Sequence, residues 1–547
     1  MKLSTYTLIF LFKINFVIAQ SITSTATEEL EVICKAWGLI KYHHPVVQTG
    51  KYDLDNLLLR SLEDSDNGKP VNKIIKTWLT TINSSTITNI ANNKKMPMTD
   101  SHKWIFDTPT LDNSLKDELN NLTKSITNRK FYVKTSKIGN VEVINEKQYS
   151  LDKVVNKHIR LLILFKYWNI IEYFYPYKEL IHTDWDNILR RYIPMFISAT
   201  SDLEFQLTFL KLTVEISDSH GNYFTPDIIK FYGEKYIPSH FKIIDDKVVI
   251  SDHYNQALAT KNNLHLGDII FQVNGVSVKE RMKYLEEYTP GSNSSRKKYN
   301  YRYSLLNGNE DSVTLGIVRD LDTIQQKIGR INIQDFDIPL YKPKWEMMDN
   351  DILYVRTWEI SGKEIKALKK EMMKSKAVII DLRKYPKFSV GERLTAIIKD
   401  KKSIFFKRRV PNLKQPGNFI SLDGRVSGPK GKFQYRENIA VLVDEKTLSF
   451  GEFIVMDLQS CKNVTVVGSQ TAGAVGFMST FNVVDDYSTT FTGTGIYYPD
   501  HTNVHRHGNK IDHEIQVSID GLRKNKDEIL NAAVILLKSK IQQQNDN

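Results

Sequence analysis

Cysteine is almost absent from this sequence, which holds only Cys34 and Cys461 among its 547 residues. Two cysteines cannot form the disulfide framework of a small secreted scaffold or a zinc finger built on cysteine ligands. Long apolar runs are missing as well, because no stretch after the N-terminal segment reaches the ~18 uninterrupted apolar residues of a membrane-spanning helix. The sequence therefore excludes a cysteine-rich scaffold and predicts no stable membrane span.

A strong excess of one charge is also lacking. The 75 Lys and Arg residues outnumber the 63 Asp and Glu residues by only 12 over the whole chain. The basic runs 296–298 and 407–409 are short and far apart, so we interpret them as solvated loops and expect no nucleic-acid partner. Hydrophobic residues at 41% and charged residues at 25% are typical of a folded protein, and the length corresponds to roughly three to four domains at ~150 residues each.

The first segment, residues 1–19, has the features of a signal peptide. Lys2 precedes a mostly apolar stretch, and Val17-Ile18-Ala19 has the small-x-Ala form that signal peptidase requires. Lys13 interrupts the apolar stretch, and a buried N-terminal helix is the alternative interpretation. We expect an exported protein, periplasmic or extracellular.

An internal repeat lies in the front half of the chain. The pattern W-x-x-I-x-Y-x-x-P at 37–45 recurs 131 residues later at 168–176, and each copy continues into D-x-D-N-x-L-x-R. This predicts an amphipathic helix that ends at proline, a short loop, and a second helix capped by Asp. We interpret the aromatic residues as helix packing rather than as a ligand cage. The repeat defines an N-terminal region at 20–150 and a second helical region at 151–232.

Strand-like periodicity replaces the helical pattern at 233–335. Within the run 264–278, Asn274-Gly275 is a strong signal for a type I′ hairpin turn, since both of its central residues need positive φ. This run resembles the central hairpin of a PDZ domain. Such domains bind an extended peptide as an added strand at an open sheet edge.

Buried strands alternate with helices at 340–541. The apolar runs 376–381, 439–444 and 464–468 are continuous, which is typical of parallel strands covered on both faces. Ser449 lies between the second of these strands and a helix. The N–H groups of a helix start point toward any oxyanion formed there, although serine is also a common helix cap.

Four motifs occur in an order that resembles the tricorn and C-terminal-processing serine peptidase family. They are Ser219-His220, Asp381-Leu382-Arg383, Ser449-Phe450-Gly451-Glu452, and the glycine-flanked loop 468–473. The resemblance implies a multidomain α/β protein with a helical N-terminal region, a PDZ-like β insert and a Clp-protease/crotonase-like catalytic core. It also implies a serine endopeptidase that acts on a peptide or unfolded protein and needs no metal or organic cofactor. The oligomeric state stays open.

The resemblance also assigns roles to single residues. Ser449 is expected to attack the peptide carbonyl and form an acyl-enzyme, with His220 as its base. Ser219 is expected to orient the histidine, and the backbone N–H of Phe450 to stabilise the oxyanion. The loop residues Gly473 and Ala474 are expected to bind the substrate.

Two departures from the family pattern bear on the mechanism. Ala474 stands 25 residues after the serine, where the processing subgroup has its lysine base, so a Ser-His pair is favoured over a Ser-Lys pair. The family's run D-L-R-x-N-x-G-G is here Asp381-Leu382-Arg383-Lys384-Tyr385-Pro386-Lys387-Phe388, so the glycine pair is missing. Lys387 or a neighbour must then supply the second oxyanion N–H, because Pro386 has none. The group that orients the histidine stays open between Glu514 and His507.

Two other functions compete with this interpretation. One is a catalytically inactive relative that only binds peptides. The other is a metal-dependent hydrolase that uses the late cluster His501, His505, His507, His513, Asp512 and Glu514. We interpret these histidines, and the pair His43-His44, as solvated loop residues. A second D-S-H triplet at 100–102 is interpreted as a surface turn.

Overall fold

The computed structural model describes residues 23–82, 102–125, 130–338, 342–349, 351–431 and 433–546. The predicted signal peptide lies outside these residues, as do Asp100 and Ser101 of the second D-S-H triplet. Within the described ranges, no helix has the length and apolar character that crossing a membrane requires.

A helical region forms the front of the molecule. Its helices are α1 (Ser24–His43), α2 (Leu54–Asp66), α3 (Val71–Thr81), α4 (Trp104–Asp107), α5 (Asn113–Thr123), α6 (Lys157–Phe174), α7 (Trp185–Ser198), α8 (Asp202–Glu215) and α9 (Pro226–Tyr232), with a ribbon of β1 (Val133–Thr135) and β2 (Val141–Val143).

The two copies of the repeat form the same local structure. Helices α1 and α6 each end just before a proline, and Asp53 and Asp184 cap the helices that follow. The indole N–H of Trp37 donates at 2.9 Å to the carbonyl of the first residue of α2, and that of Trp168 donates at 2.9 Å to the first residue of α7. Both rings are buried, so these aromatic residues serve packing, as the spacing predicts.

An antiparallel sheet follows the helical region, with strand order β3-β4-β5-β7-β8 and β6 paired to β5. Asn274 (φ 47°) and Gly275 (φ 83°) form the predicted turn between β5 and β6. The elements are β3 (Ser239–Ile244), β4 (Lys247–His253), α10 (Gln256–Lys261), β5 (Ile269–Val273), β6 (Val276–Ser277), α11 (Val278–Leu285), α12 (Ser294–Asn300), β7 (Ser312–Arg319) and β8 (Asp322–Gly329).

One expectation about this part of the chain is wrong. The run 296–298 is not a solvated loop but part of α12, which packs against β3. Arg296 is buried there because it points inward, toward the backbone of Glu445 in the following domain.

The last part of the chain is an α/β core around a sheet of order β21-β17-β16-β11-β10-β9, parallel except for β9. Helices α13, α14 and α15 cover one face and α17 covers the other, as predicted for continuous apolar strands. Its elements are β9 (Trp345–Met348), β10 (Ile352–Arg356), α13 (Ile365–Met372), β11 (Ala377–Asp381), α14 (Gly391–Ile398), β12 (Ser403–Ile404), β13 (Lys407–Pro411), β14 (Phe419–Asp423), β15 (Val426–Ser427), β16 (Asn438–Val443), α15 (Phe450–Gln459), β17 (Val464–Gly468), β18 (Met478–Val484), β19 (Tyr487–Thr492), β20 (Gly495–Tyr497), β21 (His513–Glu514), α16 (Ile519–Arg523) and α17 (Glu528–Asp546).

The hairpin β18–β19 joins the core to the helical region. Phe481 and Phe491 belong to the same hydrophobic cluster as the buried residues of α6 and α8. The ring of Phe481 lies 5.7 Å from that of Tyr167 and 6.5 Å from that of Phe209. The multidomain α/β architecture is therefore confirmed, and its helical region packs directly against an extension of the core.

Candidate active site

Ser449 lies in a strained turn at the edge of the sheet where the parallel strands β11, β16 and β17 end. It directly precedes α15 and has φ 54° and ψ −110°. A non-glycine residue pays about 1–3 kcal/mol for such a sparsely populated conformation, which persists when the surrounding structure imposes it. A sharp strand-to-helix turn of this kind is how α/β hydrolases expose a nucleophilic serine.

Glu452 fixes this turn through four hydrogen bonds. Its buried carboxylate accepts hydrogen bonds from the N–H of Ser449 at 3.1 Å, the N–H of Gly473 at 2.7 Å, the N–H of Ala474 at 3.0 Å and the hydroxyl of Thr471 at 2.6 Å. Burial raises the pKa of Glu452, and these four donors act in the opposite direction. Gly473 and Ala474 are the loop residues predicted to bind substrate. Through Glu452, their N–H groups help to fix the turn that contains Ser449.

Phe450, whose backbone N–H is the predicted oxyanion donor, directly follows Ser449. Phe450 is the first residue of α15, so its N–H has no partner within the helix. Burial raises the pKa of Tyr385, whereas the Ser449 hydroxyl and the Phe450 N–H, which lie near its phenol oxygen, oppose the shift. Tyr385 is 46% exposed and lines the same cavity as Ser449.

Lys387, the predicted source of the second oxyanion donor, is two residues beyond this tyrosine. Its ammonium group donates to the carbonyl of Glu359 at 3.3 Å, and its own carbonyl accepts from the N–H of Val390. On either side of it, Tyr385 and Phe388 line the pocket that contains Ser449. The segment expected to supply the second backbone donor therefore borders the cavity that contains Ser449.

His220 lies in the loop after α8 and is buried. Its Nδ1 is 2.8 Å from the hydroxyl oxygen of Thr492, and its Nε2 is buried with no hydrogen-bond partner among the described residues. Burial lowers the pKa of His220, although the charge of Asp218 opposes the shift. The ring is therefore neutral near neutral pH, as a base must be.

Asp218 and Thr492 fix the orientation of this ring. The Asp218 carboxylate accepts from the Thr492 hydroxyl at 2.9 Å, the Thr492 N–H at 2.6 Å and the His220 N–H at 2.9 Å. Since the threonine hydroxyl donates to the carboxylate, its lone pairs accept from Nδ1–H, and the lone pair of the neutral ring is left at Nε2. Burial would raise the pKa of Asp218, but the charges of His505 and His220 and two backbone N–H donors hold it below its ordinary value.

Neither Asp218 nor Thr492 was predicted from the sequence to orient His220. Asp218 is visible as the first residue of the D-S-H triplet, whereas no sequence signal marks Thr492. The two open candidates lie elsewhere: Glu514 is exposed on the edge strand β21, and the carbonyl of His507 accepts from Gln470 at 3.3 Å.

Ser219 connects three segments of the chain. Its N–H donates to the Ser292 hydroxyl at 2.6 Å, and its own hydroxyl donates to the carbonyl of Ala472 at 3.0 Å while accepting from the Ser292 N–H at 2.8 Å. The hydrogen bonds described for Ser219 thus join the His220 loop to the inserted sheet domain and to the core.

His220 and Ser449 line adjoining cavities. A cavity of about 600 Å³ contains Ser449 and is otherwise mainly apolar. A second one, of about 200 Å³, contains His220, Ser219 and Leu448, the residue just before the serine. Met478 lines both. The predicted base and the predicted nucleophile thus line two neighbouring cavities that share Met478.

The late histidines have separate surroundings. His505 is buried, stacks on Tyr177 with ring centres 4.0 Å apart, and its Nε2 is 3.0 Å from the hydroxyl of Tyr175. His501 lies 2.8 Å from the ammonium of Lys407, and His513 is exposed on β21. No group of three or more His, Cys, Asp or Glu residues suited to a metal ion occurs in the part of the chain that the structure describes.

The solvated-loop interpretation is wrong for several of these histidines. His505, His43 and His44 are buried, and His102 of the second triplet packs with its ring 5.0 Å from that of His43 rather than in a surface turn. Their neighbours on other elements bury them, which local sequence cannot reveal.

Comparison with known proteins agrees with this architecture. Residues 327–515 match the model of peptidase family S41. The structure of mature CPAF complexed with lactacystin is similar over 71% of this chain and 99% of that chain, with 14% identity and a TM-score of 0.55. A second structure of mature CPAF covers 71% of this chain and 98% of its own, with 13% identity and a TM-score of 0.56.

The structure of the photosystem II D1 C-terminal processing protease matches 67% of this chain and 96% of that chain, with 14% identity and a TM-score of 0.39. None of the curated protein sequences matches this chain. The family match spans the Ser449 turn, and the sequence motifs and the fold agree with it. The chain is a serine-type peptidase, and its residues 327–515 are similar to peptidase family S41.

Proposed function

We propose that this protein is an endopeptidase in which Ser449 attacks the peptide carbonyl and His220 acts as the base. The observation that carries the proposal is the strained conformation of Ser449 beside the N–H of Phe450. A serine that served only as a helix cap would gain nothing from a positive φ, since ordinary caps adopt extended backbone. Ser449 instead lines the larger cavity, where a substrate can reach it.

The reaction follows from the hydrogen bonds around the histidine. Nε2 of His220 takes the Ser449 proton as the oxygen attacks the carbonyl carbon, and the resulting oxyanion accepts from the Phe450 N–H. The imidazolium keeps its Nδ1–H on the Thr492 hydroxyl and is stabilised by the Asp218 charge nearby. It then protonates the leaving amine, and water hydrolyses the acyl-enzyme by the same steps.

Tyr385 must move before this reaction begins. Its phenol oxygen lies near the Ser449 hydroxyl and the Phe450 N–H, the two groups that react with or stabilise the substrate carbonyl. The substrate is therefore expected to displace it. Lys387 as the second oxyanion donor stays a prediction, as does substrate binding by the Gly473–Ala474 loop.

The larger cavity suggests which part of the substrate lies next to Ser449. Phe406, Phe453, Phe477, Met478 and Ile496 line it. An apolar side chain of the acyl segment would bury its surface there, at about 25 cal/mol per Å².

The sheet domain at 233–335 is proposed to engage the substrate as a PDZ-like module, with the peptide added at an open strand edge. Export to the periplasm or the cell exterior is also proposed, and it is motivated by the signal-like segment at 1–19. Periplasmic fractionation of the tagged full chain, with N-terminal sequencing, tests this part; a retained Met1 in the cytoplasm would contradict it.

The central test compares wild type with Ser449→Ala in hydrolysis of casein and in labelling by a fluorophosphonate probe. We expect both activities in wild type and neither in the variant. Equal hydrolysis by the two proteins would refute the proposal. Peptide binding by a wild-type protein that neither hydrolyses nor labels would instead identify the inactive peptide-binding relative.

A further inference from the structure

The cavity beside His220 contains a buried cation that the reaction does not use. Arg296 of α12 lines this cavity of about 200 Å³ together with His220, Ser219 and Asn300. The inserted sheet domain therefore contributes a side chain directly to the catalytic cleft. Arg296 is only 9% exposed, so its guanidinium is largely withdrawn from water.

Among the described residues, no carboxylate lies within ion-pair distance of this guanidinium, although the charges of Glu452 and Glu445 act on it from farther away. Its central carbon lies 4.8 Å from the centre of the Tyr299 ring. One terminal nitrogen donates to the backbone carbonyl of Glu445 at 3.2 Å, and its Nε is buried with no hydrogen-bond partner. Burial and the charge of Arg302 lower the pKa of Arg296 to about 10, which still leaves it charged at neutral pH. Arg383, by contrast, binds both Asp381 and Asp527. An unpaired buried charge is costly, and an incoming anion relieves that cost.

An unpaired acceptor lies in the same cavity. Asn300 donates through Nδ2 to the carbonyl of Pro290 at 2.8 Å, whereas its Oδ1 is buried without a partner. The cavity thus offers a cationic donor and a neutral acceptor. A carboxylate attached to a peptide satisfies both, because it accepts from the guanidinium while a nearby amide N–H donates to Asn300.

The position of the cavity shows which part of the substrate enters it. Since His220 protonates the leaving amine, the space on its side of the cleft holds the leaving segment, while the apolar cavity around Ser449 holds the acyl segment. We propose that Arg296 determines specificity by binding a carboxylate on the leaving-group side of the cut bond. This inference rests on the proposed peptidase function.

Two sources supply such a carboxylate: an Asp or Glu side chain in the leaving segment, or the C-terminus of a short leaving peptide. The test begins with the cleavage sites that wild type produces in casein, read by mass spectrometry. One well-cleaved peptide is then synthesised in two pairs: with Asp or Glu against Asn or Gln in its leaving segment, and with a free against an amidated C-terminus. If replacing Asp or Glu slows cleavage, the carboxylate is a side chain; if amidating the C-terminus slows cleavage, the carboxylate is the C-terminus.

We expect Arg296→Gln to lower kcat/KM about 10- to 100-fold for the carboxylate form, the range for a hydrogen bond to a charged group, and to leave the neutral forms unchanged. Arg296→Lys should retain part of the preference. Lys298→Gln is the matched control, because it removes one positive charge from the same helix at a position that is partly exposed and paired with Asp246. Its rates should equal those of wild type.

Equal wild-type rates for the carboxylate and neutral forms would overturn the inference without the need for any variant. Fluorescence anisotropy of the same labelled peptides on Ser449→Ala separates the two proposals. If Ser449→Ala still cleaves, the peptidase mechanism fails. If it does not cleave but binds carboxylate and neutral forms equally, only the role of Arg296 fails.

Discussion

Replacing Thr492 by valine is the sharpest test of how the base is oriented. The two side chains have nearly the same shape, so the change removes one hydroxyl and adds no bulk. That hydroxyl is 2.8 Å from Nδ1 of His220 and donates at 2.9 Å to Asp218. Asp218 keeps its two backbone donors in the variant, so its position is retained.

The expected loss follows from the charge on the ring during the reaction. The Asp218 carboxylate lies 3.8 Å from Nδ1 and is too far to replace the lost acceptor directly. A hydrogen bond to a charged group contributes about 1.5–3 kcal/mol. At about 1.4 kcal/mol per factor of ten, Thr492→Val should lower kcat about 10- to 150-fold. KM should change little, because Thr492 does not line either cavity.

The assay measures kcat per active site, titrated with a fluorophosphonate. Thr492→Ser keeps the hydroxyl and should retain activity near that of wild type. Thr489→Val is the control for packing, because Thr489 is buried on the same strand and its hydroxyl has no hydrogen-bond partner. A Thr492→Val enzyme within about twofold of wild type, or a Thr492→Ser enzyme as slow as the valine variant, would refute the orienting role.

Three further results are expected. Tyr385→Phe removes the phenol hydroxyl that lies near the Ser449 hydroxyl and the Phe450 N–H, and should raise kcat/KM about 2- to 10-fold, as the loss of one competing hydrogen bond allows; a fall would mean that the phenol assists catalysis. In a pH profile, kcat/KM should rise as His220 loses its proton, with a midpoint below 6.5 because burial lowers its pKa; a midpoint above 7 contradicts this. Glu452→Gln places an amide N–H against the backbone donors of the turn and should destabilise the fold by about 1–3 kcal/mol in denaturant titration, whereas unchanged stability would show that the carboxylate is dispensable.

The fold was predictable wherever local pattern and burial coincide. Each copy of the repeat carries its own stop at proline and its own Asp cap, so its two helices needed no tertiary information. The parallel strands were visible because both faces are covered, which makes their sequences continuously apolar. Asn274-Gly275 specified its turn through backbone conformation alone.

The site was predictable only in part, for reasons of distance along the chain. Ser449 stands where a strand meets a helix, and this is a local signal. The contact between His220 and Thr492 spans 272 residues and is set by how β19 packs, so no spacing rule reveals it. Arg296 was misjudged because a basic run is usually solvated, and only the packing of α12 against the core buries it.

In the proposed mechanism, the helical region is part of the catalytic apparatus. The nucleophile turn is fixed by the core through Glu452, whereas the base lies in a loop that leaves α8 and is oriented by the last residue of β19. Phe491, next to Thr492, is buried in the cluster formed by α6 and α8. The distance between base and nucleophile is therefore set by packing between the helical region and the hairpin β18–β19. Changes in that packing, such as Phe481→Ala, should lower kcat together with stability although they touch neither substrate nor catalytic residues, and a variant that lost stability alone would contradict this coupling.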